Sequence, residues 1–448
     1  MSKKFSVLIK NKINRYNKKI TVDPDKSVSH RCYILASQCI GKSEIKGLNS
    51  EDVKATKNGL KKLGIKIVSK NGIDNVYGMG ISGFKKFNGV INFHNSGTSA
   101  RSFLGMLTCY PHAVTITGDS SLQKRPFKRL TNYLERIGAT FKYPKNEKLN
   151  LPIKIKGTRK WALAQNHYIN IPSAQITSAL IYAALQTKGI TEIIETHETR
   201  DHTQRLLKSL KADIQVKKLG NKRVTKIKGQ VEMNNFSIKV AADPSSACFF
   251  IIQTLLAKKS TLLIKNVYIN QNRIGFINIL KMMGAKIKIL NRKEYFGEKI
   301  GDIFVSSSNL KGINCPLKLI VKSIDELPAI WVACALAKGK SYFKGISELR
   351  LKESDRIKII SENLKLFGIK TFATKDTLKI YGNPKIKIYK KIKIPKTLDH
   401  RICMSMAVLA NVTESNVLIR GFETVKSSFP NFLKIQKKIG ANYEIKKN

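Results

Sequence analysis

The chain reads as a mixed α/β (α+β) protein of two lobes, each built from three copies of one unit. Three observations predict this. Six apolar helical runs each open on small, polar or charged residues. A short strand follows each run, and a second helix then closes the copy at Leu-x-x-Leu-Gly or a close variant. The closing positions are Gly64, Gly138, Lys211, Gly284, Gly368 and Gly440, spaced 74, 73, 73, 84 and 72 residues apart. Helices alternating with strands inside every copy set the class.

The first helices open at Lys26-Ser27-Val28-Ser29, Asn95-Ser96-Gly97-Thr98, Pro172-Ser173-Ala174-Gln175, Asp243-Pro244-Ser245-Ser246, Asp325-Glu326-Leu327-Pro328 and Asp399-His400-Arg401. Hydroxyl, amide and carboxylate groups in that place are N-cap chemistry. The strands run up to Gly47, Gly118, Glu195, Asn266, Gly345 and Gly421. Glycine at the closing position is the left-handed residue that stops a helix, and Lys211 replaces it once. The 84-residue interval predicts an insertion at about 291–312. Residues 22–240 form one expected lobe, and 1–21 with 241–448 the other. Alternating Phe5, Val7 and Ile9 predict an N-terminal strand.

The stretch 95–126 shows what such a unit can do. A helix start leaves backbone N–H groups unpaired at the positive end of the dipole, so it can hold an anion. Gly97 lets an anion approach the backbone, and Arg101 and Arg125 add planar cations suited to carboxylate or phosphate. The competing account is an ordinary capped helix followed by one started by Pro126. Other copies offer comparable groups. Lys26, Ser27 and Arg31 share a helix face, Ser173 and Gln175 add a hydroxyl and an amide, and Arg200-Asp201-His202-Thr203 opens a second helix. Asp325-Glu326 precedes an apolar helix, so at least one carboxylate is expected to be partly buried as an acid or base. The run Arg350 to Arg356 is either site chemistry or a solvated cap with local ion pairs, and His400-Arg401 either site chemistry or an interdomain contact.

At 448 residues the chain can bury ample core, and 42% apolar content is globular. No apolar run approaches the roughly 18 residues that span a bilayer, and no secretory signal is visible, so a cytoplasmic protein is expected. The seven cysteines never form CxxC and most lie in apolar runs, which predicts reduced core thiols and no metal site. The net charge of +52 is spread over the whole chain and comes from 66 lysines against 16 arginines. Lysines alternate in stretches such as 384–394, as a solvated strand face requires. Arginine is then the informative cation, because its fork binds anions at two points, and Arg31, Arg101, Arg125, Arg200, Arg356 and Arg401 all fall in the motifs above.

These motifs resemble 5-enolpyruvylshikimate-3-phosphate synthases over essentially the whole chain. The pieces are DKSVSHR (25–31), NSGTSAR (95–101), KRP (124–126), SAQ (173–175), TRDHT (199–203), DELP (325–328), RLKESDR (350–356), DHR (399–401) and Lys426. The SAQ and TRDHT forms are similar to the second of two broad classes. The resemblance implies two lobes of three βαβαββ-type units, with the helix N-termini facing a cleft that closes on substrate. It also implies transfer of the enolpyruvyl group of phosphoenolpyruvate to the 5-hydroxyl of shikimate 3-phosphate, in the shikimate pathway of aromatic amino acid biosynthesis. Lys26, Ser27, Arg31, Ser173, Ala174, Gln175, Arg200, Asp325 and Lys352 would hold shikimate 3-phosphate. Lys26, Gly97, Arg125, Gln175, Arg356, Arg401 and Lys426 would hold phosphoenolpyruvate. Asp325 would take the hydroxyl proton, and Glu353, with Lys26, would serve the methylene carbon. Surrounding cations favour an ionised carboxylate, so Glu353 would need burial to act as an acid. No metal or organic cofactor is implied, and the partners are the two small substrates of a monomer.

A sibling family that transfers the same group to a UDP-amino sugar carries a reactive cysteine before its Arg-Pro. Here the loop from Gly118 to Lys124 contains none, and Lys26-Ser27 and RLKESDR also favour the shikimate enzyme. A basic nucleic-acid-binding protein is the other rival, and no aromatic RNA motif or zinc finger supports it. Glyphosate is the resembled family's mimic of phosphoenolpyruvate. Gly97 is the glycine of sensitive members, while Ser102 stands where proline or leucine is usual.

Overall fold

The computed structural model describes residues 4–143, 149–158, 162–388 and 390–447. They divide into two compact units, one of residues 24–240 with 295–298, the other of residues up to 23, 241–294 and 299 onward. The first boundary therefore falls at 23/24, where 21/22 was expected. The four-residue tip goes with the first unit for a physical reason. His202 Nδ1 meets Glu298 Oε1 at 2.5 Å, Arg205 Nη1 donates to Gly297 O at 3.0 Å, and Lys239 N donates to the Tyr295 hydroxyl at 3.0 Å.

Six first helices form, at Lys26–Gln38, Gly97–Met106, Ala174–Ala184, Pro244–Leu256, Leu327–Ala335 and His400–Val412. Side chains of Asp25, Ser96, Ser173, Asp243 and Asp399 accept backbone N–H bonds at five of their starts. Those that are apolar nearly all round, such as Leu327–Ala335, require burial on every side. Every residue of Leu327–Ala335 and His400–Val412 is buried. The second helices are Glu51–Lys62, Lys128–Ile137, His202–Ser209, Gly275–Met282, Arg356–Leu366 and Phe432–Lys438. Each stops one or two residues before a left-handed residue: the five glycines have φ of 82° to 117°, and Lys211 has φ 57°.

Copy two displays the unit in full. Gly89–Asn92 pairs in parallel with Ala113–Thr117, which pairs antiparallel with Ile153–Lys156, and Thr140–Lys142 lies outermost. This βαβαββ order recurs, with strands exchanged along the chain. Copy one takes its opening strand from Ser237–Lys239, and copy four from Asn17–Ile20. Copy six takes its second strand in spatial contact with Asn416–Ile419 from Phe5–Ile9 at the N-terminus, where Val7 pairs with Ile419 and Ile445. The N-terminal strand thus completes the second unit. Copy five has a three-stranded sheet, with two isolated parallel bridges, Lys311 to Lys338 and Asn314 to Tyr342, where an opening strand would lie.

The insertion expected at about 291–312 is carried mainly by strands longer than their counterparts in the other copies. Most of that range is an extended hairpin, Lys286–Tyr295 with Glu298–Ser306. The further element is the helix Leu317–Lys322, beyond the expected range. In the lysine-rich stretch only Lys391–Ile394 is a strand, with Ile392 and Ile394 buried, and Tyr389 lies outside the described residues, as do residues 1–3 of the N-terminal reading. None of the seven cysteines forms a disulfide, and six are buried. Burial pushes the Cys39 and Cys334 thiols up to about 12. Among the described residues no helix is long and apolar enough to cross a membrane.

Candidate active site

In the first unit, polar groups cross-link the starts of three helices. Arg31 is buried; its Nε donates to Thr203 Oγ1 at 2.8 Å, its Nη2 to Ser178 Oγ at 2.9 Å and its Nη1 to Ser27 O at 2.8 Å. This draws copy one onto copy three. Gln175 draws copy three onto copy two, donating to Thr98 Oγ1 at 3.1 Å and accepting from Arg101 Nη1 at 3.0 Å. His30 and Thr56, then Thr56 and Ser99, join copies one and two through contacts of 2.7 Å each. Burial first, then the Lys26 and Arg31 cations, hold the His30 pKa well below the ordinary imidazole range, so the link is a neutral one.

The predicted residues have distinct places in this frame. Lys26 Nζ is 2.8 Å from Asp52 Oδ2, which keeps the ammonium partly buried. Ser27, Ser173, Ala174 and Gln175 are half-buried at helix starts. Gly97 is the first residue of its helix, and a Cβ there would meet Arg101 Nη1 at 2.8 Å and Arg125 Nη1 at 3.0 Å. Two guanidinium groups therefore flank one bare backbone position. Arg125 is anchored by Asn95 Oδ1 and by Ser121 Oγ at 3.4 Å. Arg101 donates to Gly97 O at 3.3 Å and Pro126 O at 3.1 Å, and stacks 4.5 Å from the Phe127 ring centroid. Its work is to shape the Gly97 turn. Arg200 follows Thr199, whose carbonyl accepts from Arg223 Nη1 at 2.9 Å. Arg223 is itself forked onto Glu195 by two bonds of 2.7 Å.

The second unit holds a network of carboxylates and arginines. Arg356 is fully buried; its Nε lies 2.8 Å from Asp399 Oδ2, its Nη2 2.6 Å from Glu353 Oε2 and its Nη1 3.5 Å from Asp325 Oδ1. Burial works against this cation. Asp399, Glu353 and Asp325 outweigh that effect, so the Arg356 pKa is raised and the group stays charged. Arg401 Nη1 donates to Asp325 O at 2.8 Å, and its Nη2 lies 3.8 Å from Asp325 Oδ2. Asp325 itself keeps 20% of its side chain exposed, against none for Glu326. Of the two neighbouring carboxylates, the buried one is thus Glu326, held by Arg273 Nη1 at 2.8 Å and by the Ser245 hydroxyl. Glu353 is 18% exposed and engaged by Arg356, not isolated in apolar surroundings. Lys352 is half-buried, and Lys426 Nζ sits 5.4 Å from the Phe5 ring centroid.

In the 350–356 run the local ion pairs form: Arg350 and Asp355 make a partly exposed pair, while Arg356 is a buried cation paired with Asp399. His400 and Arg401 make contacts inside the second unit: His400 Nδ1 lies 3.4 Å from Ser427 Oγ, and Arg401 Nη1 donates to Asp325 O at 2.8 Å. Among the described residues no group of three or more His, Cys, Asp or Glu side chains is placed to hold a metal ion.

A family model described as EPSP synthase (3-phosphoshikimate 1-carboxyvinyltransferase) matches residues 10–435. The chain belongs to the EPSP synthase family. A 3-phosphoshikimate 1-carboxyvinyltransferase of Zymomonas mobilis is 36% identical over 443 residues, covering 98% of this chain and 97% of that one. One from Petrotoga mobilis is 40% identical over 427 residues, covering 94% and 97%. The solved EPSP synthase of Acinetobacter baumannii superposes with a TM-score of 0.84 at 34% identity, covering 98% of this chain and 99% of that chain. The enolpyruvyl transferase NikO of Streptomyces tendae, with a TM-score of 0.78 at 14% identity over the full length of both chains, shares the fold. The protein is accordingly a transferase of the shikimate pathway with the enolpyruvyl transferase fold. The UDP-amino-sugar alternative is not favoured.

Several residues of these two clusters are not marked in the sequence. Asp52 and Ser178 are partners supplied by other elements, and nothing local marks them, while Thr203 lies in the TRDHT motif with no local sign that it receives Arg31. Asp243 and Asp399 are visible as helix caps but not as counter-ions. Arg273 and Arg223 were within reach: both are arginines in a lysine-rich chain, the same signal that singled out Arg356.

Proposed function

We propose that the two clusters divide the enolpyruvyl transfer between them. Lys26, Ser27, Arg31, Ser173, Ala174, Gln175 and Arg200, with Asp325 and Lys352, hold shikimate 3-phosphate. Lys26, Gly97, Arg125, Gln175, Arg356, Arg401 and Lys426 hold phosphoenolpyruvate. Each substrate carries a phosphate and a carboxylate, so several negative charges need charge-assisted bonds at once. The setting of Asp325 carries this reading: a partly exposed carboxylate beside two arginines, on a backbone pinned by Arg401. Asp325 takes the proton of the 5-hydroxyl as that oxygen bonds to C2 of phosphoenolpyruvate. Glu353 delivers a proton to the methylene carbon, giving a tetrahedral intermediate. Loss of phosphate, with a proton from the new methyl group, restores the double bond in the product.

Arg356 has only one arm for this work. Its Nε and Nη2 are occupied by Asp399 and Glu353, and Nη1 is the arm left towards Asp325. Asp325→Asn keeps the shape and removes the base. Turnover should fall by orders of magnitude while substrate binding stays within about tenfold. Phosphate release from the two substrates and equilibrium binding of shikimate 3-phosphate measure the two quantities; near-normal turnover would refute the assignment. We further propose a cytoplasmic monomer: seven cysteines outside any disulfide support a reducing compartment, and size-exclusion chromatography with light scattering tests the oligomeric state.

A further inference from the structure

Arg273 lies outside the residues assigned above, and its setting gives it a task. It begins the turn into the Gly275–Met282 helix and is 1% exposed. Its Nη1 lies 2.8 Å from Glu326 Oε1 and its Nη2 3.1 Å from Asp243 Oδ1. Asp243 caps the first helix of copy four through the Ser245 backbone at 2.7 Å, and the Ser245 hydroxyl returns to Glu326 Oε1. One guanidinium therefore bridges the helix starts of copies four and five.

Arg401 is the third party. Its Nη1 donates to Asp325 O at 2.8 Å and stands 3.8 Å from the same Glu326 Oε1. A full carboxylate attracts a buried cation far more strongly than a carbonyl dipole does. Arg401 nevertheless stays on the carbonyl, because Arg273 neutralises Glu326 and, with Ser245, occupies its Oε1. We infer that Arg273 is a positioning residue: by neutralising Glu326 and occupying its Oε1 it keeps Arg401 on Asp325, available to the anionic substrate. This rests on the proposed contact of Arg401 with phosphoenolpyruvate. Lysine would serve poorly, since one ammonium cannot present a planar fork to two carboxylates.

Steady-state kinetics on the full-length enzyme, normalised to active protein, test this. Arg273→Met should raise the KM for phosphoenolpyruvate at least tenfold, while the KM for shikimate 3-phosphate moves less than threefold. Adding Glu326→Gln removes the charge that recaptures Arg401 and should bring the raised KM back to within threefold of the parent. A purely structural role would lower the melting temperature and the yield of active protein and leave that KM unchanged. Either an unchanged KM in Arg273→Met or a double variant no better than the single one overturns the inference. If Arg273→Met does not fold, Arg273→Lys replaces it: its KM should rise at least threefold, and an unchanged value overturns the inference equally. Arg401→Gln separates the two levels. If it leaves the KM for phosphoenolpyruvate unchanged, the underlying contact fails and the inference with it. If it raises that KM while Arg273→Met does not, the positioning role alone fails.

Discussion

At the scale of single residues, Gly97 shows how one missing carbon sets a binding surface. A methyl group there would press on the tips of Arg101 and Arg125, 2.8 and 3.0 Å away. Those tips are flexible, so the variant folds, but Arg125 must shift. Gly97→Ala should therefore weaken glyphosate more than tenfold, about 1.4 kcal/mol, and phosphoenolpyruvate by less. Inhibition constants against varied phosphoenolpyruvate read this directly, and equal inhibition of both proteins would remove Gly97 from the inhibitor's surroundings. His167 acts on stability. It is fully buried, both ring nitrogens lack a hydrogen-bond partner, and burial with the nearby Arg136 cation lowers its pKa from 6.5 to about 4. As pH falls through about 6.5 the unfolded chain takes up this proton and the folded chain does not. Stability is then full above about 6.5 and lost towards about 4, by on the order of 3 kcal/mol. His167→Leu should flatten that acid limb in melting temperatures measured from pH 4 to pH 8. An unchanged slope would assign the acid sensitivity to other groups.

At the scale of elements, the same helix ending is used six times and is poorly made once. Lys211 occupies the left-handed position at φ 57°, and Lys211 N and Ala212 N close onto Lys208 O and Leu207 O at 3.1 and 3.0 Å. A side chain there costs about 1 kcal/mol relative to glycine. Lys211→Gly should raise the urea midpoint accordingly without changing the slope, whereas Gly440→Ala should lower it. A second repeated element lies at the other end of each unit. Gly78, Gly157, Gly229 and Gly382 sit on the hairpin strands or just beyond them. A Cβ at any of the four would fall inside van der Waals contact of carbonyl oxygens ending the first helix of its copy. Strand and helix end can approach there only because nothing projects between them.

For the whole molecule, the order of the chain and the order of the strands differ. Phe5–Ile9 lies between Asn416–Ile419 and Glu444–Lys447, more than four hundred residues away in sequence. Val7 is fully buried there. Val7→Asp puts an uncompensated charge into that core and should cost at least about 3 kcal/mol. Hydrogen exchange locates the damage: amides of 417–419 and 444–447 should lose protection, and those of the 24–240 unit should keep theirs. Loss of protection across both units would mean that the N-terminal strand supports more than its own sheet.

The repeat and the fold class are legible in the residues alone. Helix caps, left-handed stops and apolar periodicity are local physics, readable over a few residues, and motifs such as RLKESDR and TRDHT are contiguous. Only the tertiary structure decided which copy receives Phe5–Ile9, Asn17–Ile20 and Ser237–Lys239, because strand pairing depends on edges brought together from distant segments. It also decided what each charge does. Arg101 and Arg125 look alike in sequence, yet one braces the Gly97 turn and the other is anchored through Asn95 and Ser121. Asp325 and Glu326 are neighbours, yet only Glu326 is sealed against Arg273. A carboxylate's role follows from its burial and its counter-ion, and both are supplied by chain that folds in from elsewhere.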